Sequence, residues 1–140
     1  MKRAIRFSTY IIISIMLLSL SSCEKDRVTL LTDGVWKFEN ITTNSSDDAI
    51  KVIVAGLKAI YTDGTMEFFS GGTYIKEFPL IDDETGSWEL IGETQLVFSP
   101  DAGGVQTASI DKISKKELVY IETYLDPDQN PFNTTTTWVK

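Results

Sequence analysis

The sequence predicts an all-β fold, an antiparallel up-and-down barrel of about eight strands with one helix inserted between the first two strands. Segments in which apolar and polar residues alternate recur at intervals of roughly 8 to 12 residues, a spacing that favours a sandwich or a barrel. Short turns connect most of these segments, which favours up-and-down order over a Greek key. Only one segment has helical periodicity, and it follows the first strand.

The first predicted strand covers residues 34–41, directly after an aspartate. Trp36 and Phe38 alternate there with Lys37 and Glu39. Because successive side chains of a strand point to opposite faces, the two rings share one face and the two charges share the other.

The predicted helix covers residues 47–61. Its apolar residues recur at steps of three and four, which places them on one stripe: Ile50, Ile53, Val54, Leu57, Ile60 and Tyr61. Ser45, followed by Asp48 three residues later, fits a capping box at its start. Two interpretations are open: the helix caps the open end of the barrel as a lid, or it covers a gap in the core.

The central strands are predicted at residues 66–68, 74–78 and 88–90. The dipeptides Asp63-Gly64 and Gly71-Gly72 precede the first two of them, and both are typical of tight turns. Large apolar residues occupy one face of these strands and charges mostly the other, so this part of the chain is predicted to be an antiparallel meander.

Four further strands are predicted at residues 94–98, 105–113, 117–125 and 134–139. Turn-forming residue types fill the segment 99–104 between the first two. The threonine run before Trp138 favours extended structure. Trp138 is expected to anchor the last strand, and we expect that strand to meet the first one.

Residues 1–22 are predicted to be a signal peptide. Lys2, Arg3 and Arg6 form a basic start, and an apolar run over residues 7–20 follows. A membrane-spanning helix needs roughly 20 apolar residues, so the run is short for that role.

The segment Leu20-Ser21-Ser22-Cys23 resembles the lipobox of bacterial lipoproteins. The resemblance implies that Cys23 carries diacylglycerol and further acyl chains such as palmitate. Several acyl chains would hold the protein on a membrane. We expect this membrane to be the outer membrane of the cell envelope, with the protein on its periplasmic or surface face. The alternative is an ordinary secretory signal with an incidental cysteine.

This interpretation divides the chain into a signal peptide (1–22), a lipidated cysteine with its tether (23–33) and a barrel domain (34–140). The charged residues 24–27 suit a solvated tether. They are also loosely similar to the acidic tracts that direct some lipoproteins of the Bacteroidetes to the cell surface.

Composition excludes several function classes. Removing residues 1–22 also removes three basic side chains and lowers the formal charge from −7 to −10, which disfavours nucleic acid as a partner. The chain has no histidine and a single cysteine, so the commonest general base and an intramolecular disulfide are both absent. We therefore predict no enzyme and no cofactor.

Carboxylates remain as candidate ligands or acids. Residues 82–84 and 47–48 are adjacent acids of a kind that is usually solvated, and a hydrolase would need two of them to converge in a pocket. Residues 126–130 begin like a calcium-binding EF-hand loop, but Pro131 and Thr137 stand where glycine and glutamate are needed. We predict a hairpin turn there and no metal site.

The barrel segment resembles the lipocalin-like lipoproteins of the Bacteroidetes. The resemblance covers residues 30–139 and rests on the motifs Gly34-x-Trp36, Gly72-Thr73-Tyr74, Gly86-x-Trp88-x-Leu90 and Leu96-x-Phe98, together with Leu30-Leu31, Phe68 and the segment 113–119. It implies a compact barrel similar to lipocalins and fatty-acid-binding proteins. The helical insert departs from the simple pattern and leaves the ligand preference of this chain open.

The candidate ligand wall consists of the inward aromatic residues Trp36, Phe38, Phe68, Tyr74, Trp88 and Tyr120. An eight-stranded barrel either fills its interior with side chains or holds one small molecule. The leading hypothesis is a lipid-anchored, non-enzymatic envelope lipoprotein that binds a small apolar ligand. The alternative is an interaction module with a filled barrel that contacts another envelope protein or a glycan.

Overall fold

The computed structural model describes residues 26–140, which form a closed antiparallel barrel with strands in sequence order. The predicted signal peptide and Cys23 lie outside the described residues. The all-β, eight-stranded up-and-down prediction is confirmed. The strands are β1 (Val35–Thr43), β2 (Thr65–Phe68), β3 (Thr73–Glu77), β4 (Glu84–Ile91), β5 (Gln95–Pro100), β6 (Gln106–Ile113), β7 (Glu117–Leu125) and β8 (Pro131–Val139).

Two helices accompany the barrel: α1 (residues 26–32) precedes β1, and α2 (Asp48–Tyr61) connects β1 to β2. The predicted helix between the first two strands is therefore confirmed. None of the helical segments between residues 26 and 140 combines the length and the hydropathy that crossing a bilayer requires.

The first and last strands close the barrel. β1 pairs antiparallel with β8, and Phe38 lies opposite Trp138. A register shift between Phe38 and Asn40 marks a bulge in β1, which bends the strand and increases its twist. Closure of this kind leaves the sheet without free edges, so the predicted meeting of the two strands is confirmed.

Antiparallel order defines two ends of the barrel. The bottom end carries α1, the connections at residues 69–72, 92–94 and 114–116, and Lys140. The top end carries α2 and the connections at residues 78–83, 101–105 and 126–130.

Helix α1 covers the bottom end. Leu31 is fully buried in the core, and the Trp36 indole donates a hydrogen bond to its carbonyl oxygen at 2.9 Å. The Arg27 guanidinium donates to the carbonyl of Glu93, and the Lys140 ammonium donates to that of Leu30 at 3.0 Å.

Residues 26–32, which lie in the segment predicted to be a tether, form this helix in the structure. Val28 and Leu31 are three positions apart on one helix face, and both pack on the core.

Helix α2 covers a gap in the barrel wall. β1 has nine residues and β2 only four, and their pairing ends at Lys37 and Thr65. Ile50 and Val54 of α2 are buried against Ile41 in the upper part of β1. These contacts fit the gap-covering interpretation of the helix.

The start of α2 differs from the predicted capping box. Asp47 is the N-cap, and its carboxylate accepts a hydrogen bond from the amide of Ala49 at 2.7 Å. Ser45 instead accepts one from the amide of Asp47 at 3.2 Å. An aspartate cap also places a negative charge at the positive end of the helix dipole.

Aromatic rings fill the lower and middle interior. The ring centroid of Phe98 lies 5.1 Å from that of Tyr74, 5.9 Å from that of Phe68 and 6.1 Å from that of Tyr120. Trp88 lies 5.3 Å from Phe68 in an edge-on arrangement. These separations are the ones at which aromatic pairs attract, so the rings form a packed core.

Strands β4 and β5 pack closely together at Gly86. A Cβ at this position would lie 2.3 Å from the Ser99 carbonyl oxygen and 2.8 Å from the Pro100 Cα. Because these are backbone atoms, Gly86→Ala must move a strand, and we expect the free energy of unfolding to fall by about 1–3 kcal/mol. Urea unfolding followed by tryptophan fluorescence measures this loss.

Gly71→Ala is the matched control. Gly71 lies in a turn, with nothing within 4 Å of an added Cβ and with φ outside the left-handed region. The Gly71→Ala variant should unfold at the same urea concentration as the wild type. An equal loss of unfolding free energy in Gly71→Ala and Gly86→Ala would contradict the close contact between β4 and β5.

Candidate functional site

A partly enclosed cavity of about 70 Å³ lies at the top end of the barrel. Strands β3, β4, β6, β7 and β8 and the end of α2 contribute to its wall. Its lining residues are Tyr61, Lys76, Phe78, Glu84, Gln106, Tyr120, Glu122, Tyr124 and Trp138. Most of them present a charged group, an amide or a hydroxyl, so the cavity is polar although the barrel below it is aromatic.

An ion pair forms one side of the cavity. The Lys76 ammonium donates to Glu84 Oε1 at 2.8 Å, and the Tyr74 hydroxyl donates to the same oxygen at 2.8 Å. Lys76 is buried, and its ammonium lies 4.4 Å from the ring centroid of Phe98. The carboxylate and the ring face together compensate the buried positive charge.

Glu122 forms the opposite side and has no such partner. The ion pairs of the described chain join Lys51 to Asp48, Lys76 to Glu84 and Lys112 to Glu117. Burial raises the pKa of Glu122, while the charge of Lys76 and a hydrogen bond with Tyr124 lower it by less. The net result is a pKa above the ordinary value of 4.5.

Tyrosine hydroxyls complete the wall. Burial raises the pKa of Tyr61, and the charge of Glu122 adds to the effect. The pKa values of Tyr120 and Tyr124 rise from the same two causes. Tyr120 also accepts a hydrogen bond from the Trp138 indole at 3.2 Å. These hydroxyls therefore stay protonated over the physiological pH range and act as hydrogen-bonding groups.

The end of α2 closes the cavity from one side. The Tyr61 ring stacks on Phe78 with centroids 4.8 Å apart and meets Phe38 edge-on at 5.7 Å. Tyr61 thereby joins the helix to the residue that follows β3. The position of α2 and the shape of the cavity are thus linked through one side chain.

The barrel resembles solved structures of bovine odorant binding protein. One is a complex with a selenium-containing odorant, with a TM-score of 0.53, 18% sequence identity and coverage of 81% of this chain and 71% of that chain. Another is a deswapped triple mutant, with a TM-score of 0.51, 18% identity and coverage of 76% and 72%. The barrel has the lipocalin fold. No protein-family model and no curated protein matches the chain.

The six predicted ligand-wall residues do not form one pocket in this lipocalin fold. Trp36, Phe68, Tyr74, Trp88 and Tyr120 are buried, and Phe38 is partly buried. Among the six, only Tyr120 lines the cavity at the top end. The structure gives the other five a packing role, and their contact with a ligand stays a prediction.

Two of the six also touch open depressions on the barrel surface. Tyr74 borders one of about 390 Å³ over β3 and β4. Phe38 borders one of about 270 Å³ beside Asp63 and Gly64, where β1 separates from β2. Both are more open than the top-end cavity and carry no buried charge.

The candidate carboxylates lie in different surroundings. Glu84 enters the cavity wall, whereas its neighbours Asp82 and Asp83 are exposed. Residues 126–130 form a turn in which the amide of Asn130 donates to the Asp126 carboxylate at 2.8 Å. Within residues 26–140, no three side chains of histidine, cysteine, aspartate or glutamate come together in a way that could hold a metal ion.

Lys76 and Glu122 are the functional candidates that the sequence analysis missed. Lys76 stands between Tyr74 and Phe78 at steps of two, and Glu122 stands between Tyr120 and Tyr124 in the same way. Each charge therefore shares the inward phase of its strand. A charged residue on an otherwise aromatic phase was the available signal.

The raised pKa of Glu122 predicts a pH dependence of stability. The folded state holds the proton more tightly than the unfolded state, so the free energy of unfolding falls as pH rises from 4.5 through the folded-state pKa. Glu122→Gln removes this cost. We expect the variant to be more stable than the wild type at pH 7.5 by about 1–2 kcal/mol, the order of a buried group's desolvation cost.

Chemical unfolding measured between pH 4 and pH 8 tests this expectation, and the advantage of the variant should vanish near pH 4. Glu89→Gln is the control, because it removes an exposed carboxylate from the outer face of β4. A constant difference between Glu122→Gln and the wild type at all pH values would contradict the assignment.

Proposed function

We propose that this protein is a lipid-anchored, non-enzymatic lipocalin-like binding protein of the bacterial cell envelope, which holds one small ligand at the top end of its barrel. The observation that carries the proposal is the polar cavity between Lys76, Glu84 and Glu122, a partly enclosed space lined by one buried ammonium group and two half-buried carboxylates.

The size of the cavity restricts what it holds. Pockets for drug-sized ligands have volumes of roughly 300–1,000 Å³, whereas this one has about 70 Å³. It accommodates a group of a few heavy atoms. A larger apolar ligand among the predicted aromatic residues would have to displace rings that pack on one another, so we assign binding to the top end.

Exposed apolar side chains at the same end can receive the rest of a ligand. Leu80, Val105 and Leu125 are 69%, 69% and 59% exposed, and they lie in or beside the three connections that border the cavity. A ligand with a polar head and a small apolar body fits this arrangement. The bovine odorant binding protein in complex with a selenium-containing odorant is a small-molecule complex of the same fold.

The proposed anchor is Cys23, which precedes helix α1 at the bottom end in the sequence. Asp26, the first residue of α1, follows Cys23 by three residues, which reach at most about 11 Å. The strands of eight or nine residues separate the two ends by roughly 20 Å once their tilt is included. Acyl chains on Cys23 would therefore hold the bottom end near the bilayer and leave the cavity facing away from it.

A second candidate function is an interaction module that contacts another envelope protein or a glycan. The filled aromatic interior favours it, and so does a ring pair at the top end of the barrel: Tyr124 and Phe132 stack with centroids 5.8 Å apart. Tyr124 is 43% exposed and also lines the cavity. In this alternative the top end binds a partner surface and no small molecule.

Native mass spectrometry of the mature protein, extracted in mild detergent, tests both parts of the proposal. The expected mass is that of residues 23–140 with acyl chains, plus a small non-covalent adduct that is lost on collisional activation. In Cys23→Ser the acyl mass and palmitate incorporation should disappear, because the thiol is the acceptor.

The adduct should persist in Cys23→Ser, since the top end is unchanged. An unacylated wild-type protein would overturn the anchor. A homogeneous adduct-free protein, together with co-purification of a second protein through the top end, would favour the interaction module.

A further inference from the structure

We propose that the ligand of the top-end cavity carries a protonated amine, which binds the Glu122 carboxylate. This inference rests on the proposed small-molecule function and names the chemical class that the cavity selects. Three observations carry it: the charges that face the cavity, the partners those charges already have, and the groups that surround the remaining carboxylate.

Among the cavity's lining residues, Lys76, Glu84 and Glu122 bear the full charges. When all three are ionised, one negative charge is left over. Lys76 and Glu84 satisfy each other at 2.8 Å, and Lys76 also lies over the Phe98 ring. The carboxylate without an ion-pair partner is that of Glu122, which Lys76 attracts only from beyond ion-pair distance.

A half-buried carboxylate without an ion-pair partner is costly, and an incoming cation relieves the cost. An ammonium group fits the available space better than a guanidinium, since it needs room for one nitrogen and its hydrogens. An anionic ligand would meet Glu122 and Glu84 together, and a purely apolar one would leave the Glu122 carboxylate desolvated and without an ion-pair partner.

The surrounding groups also suit an ammonium ion. The hydroxyls of Tyr61, Tyr120 and Tyr124 line the cavity and can accept its remaining hydrogen bonds. The stacked rings of Tyr61 and Phe78 present aromatic surface beside it, and aromatic faces attract cations. An apolar body attached to the amine would contact the exposed leucines and the valine at the same end.

The connections at the top end strengthen the attraction over longer distances. Asp82, Asp83, Asp101, Asp126 and Asp128 lie in them and are exposed, apart from the partly buried Asp126. A negative rim raises the local concentration of cations and their rate of entry. The acidic residues at the rim attract the cation toward the barrel, whereas Glu122 in the cavity binds it.

Affinity should depend on pH in a defined direction. The titratable groups that face the site are Glu122 and the tyrosines of β7, Tyr61 at the end of α2, and the paired Lys76 and Glu84 of β3 and β4. The tyrosines keep their protons because their pKa values are raised. Amine binding should therefore strengthen as pH rises and Glu122 loses its proton.

The test is a titration of the mature full-length domain, acylated and held in detergent, with three probes of one shape: 2-phenylethylamine, 2-phenylethanol and phenylacetate. Amide NMR shifts report the position of binding, and calorimetry reports affinity. We expect the amine alone to shift residues at the top end, and to bind more tightly at pH 8 than at pH 5.

Glu122→Gln should weaken binding of the amine by about tenfold or more, the value of a hydrogen bond to a charged group. It should also abolish the pH dependence. Glu89→Gln is the matched control and should bind as the wild type does. The thermal unfolding midpoint of each variant is recorded alongside, so that loss of fold is distinguished from loss of the carboxylate.

The other outcomes separate the two proposals. If the alcohol or the acid binds at the top end as well as the amine does, or if Glu122→Gln leaves amine affinity unchanged, the amine inference is wrong and the proposed binding function stands. If none of the three probes shifts the top end and the native protein carries no adduct, both are wrong.

Discussion

The pairing of β1 with β8 is the constraint on which the rest of the structure depends. It places Phe38 opposite Trp138, with ring centroids 5.6 Å apart, and it turns an open meander into a closed interior. Without it, the rings around Phe98 would face solvent, and the carboxylate of Glu122 would be hydrated. Closure leaves the two ends of the barrel, and the gap beside β1 that α2 covers, as routes to the interior.

The two ends are finished in different ways. At the bottom, Leu31 fills the opening and the Trp36 indole bonds to its carbonyl, with the Lys140 ammonium 4.2 Å from the Trp36 ring centroid. At the top, α2 covers only the gap beside β1, and polar side chains line the space that is left. The chain therefore combines a sealed end near the proposed anchor with an accessible, charged end.

This division changes what the lipocalin fold offers in this chain. The interior is occupied by the protein's own rings, which stabilise the barrel by burial and by edge-to-face contacts. Binding chemistry is left to a small group of charges above them. The ion pair of Lys76 and Glu84 forms one wall of the cavity. Glu122, which has no ion-pair partner, gives the cavity a net negative charge.

Much of the fold could be predicted from the sequence because strand alternation and turn residues are local signals. The eight strands and α2 follow from them. Helix α1 could not be predicted from its own segment. Its charged residues suggest a solvated stretch, and the burial of Leu31 that holds the helix in place depends on the closed barrel. The N-cap of α2 was predicted at Ser45 and lies at Asp47 for a similar reason. The position at which the chain leaves β1 determines where the helix begins.

The candidate site was less predictable than the fold. The alternation pattern assigns rings inward and charges outward, so it gave the six aromatic residues and overlooked Lys76 and Glu122 on the same phase. Some inward residues pack in the core and others line the cavity. The difference depends on the shape of the closed barrel and on the position of α2, and the sequence of a single strand determines neither. The role of Cys23 belongs to residues outside the described part of the chain and stays a prediction.

Barrel closure removes water from the top end and leaves the Glu122 carboxylate there without an ion-pair partner. A carbon-detected NMR titration of the Glu122 side-chain carboxyl measures the consequence, with Glu122→Gln providing the assignment of the signal. We expect a pKa above 4.5, because burial disfavours the charged form. A value at or below 4.5 would show that Glu122 is hydrated or paired, and that closure does not isolate this carboxylate from water.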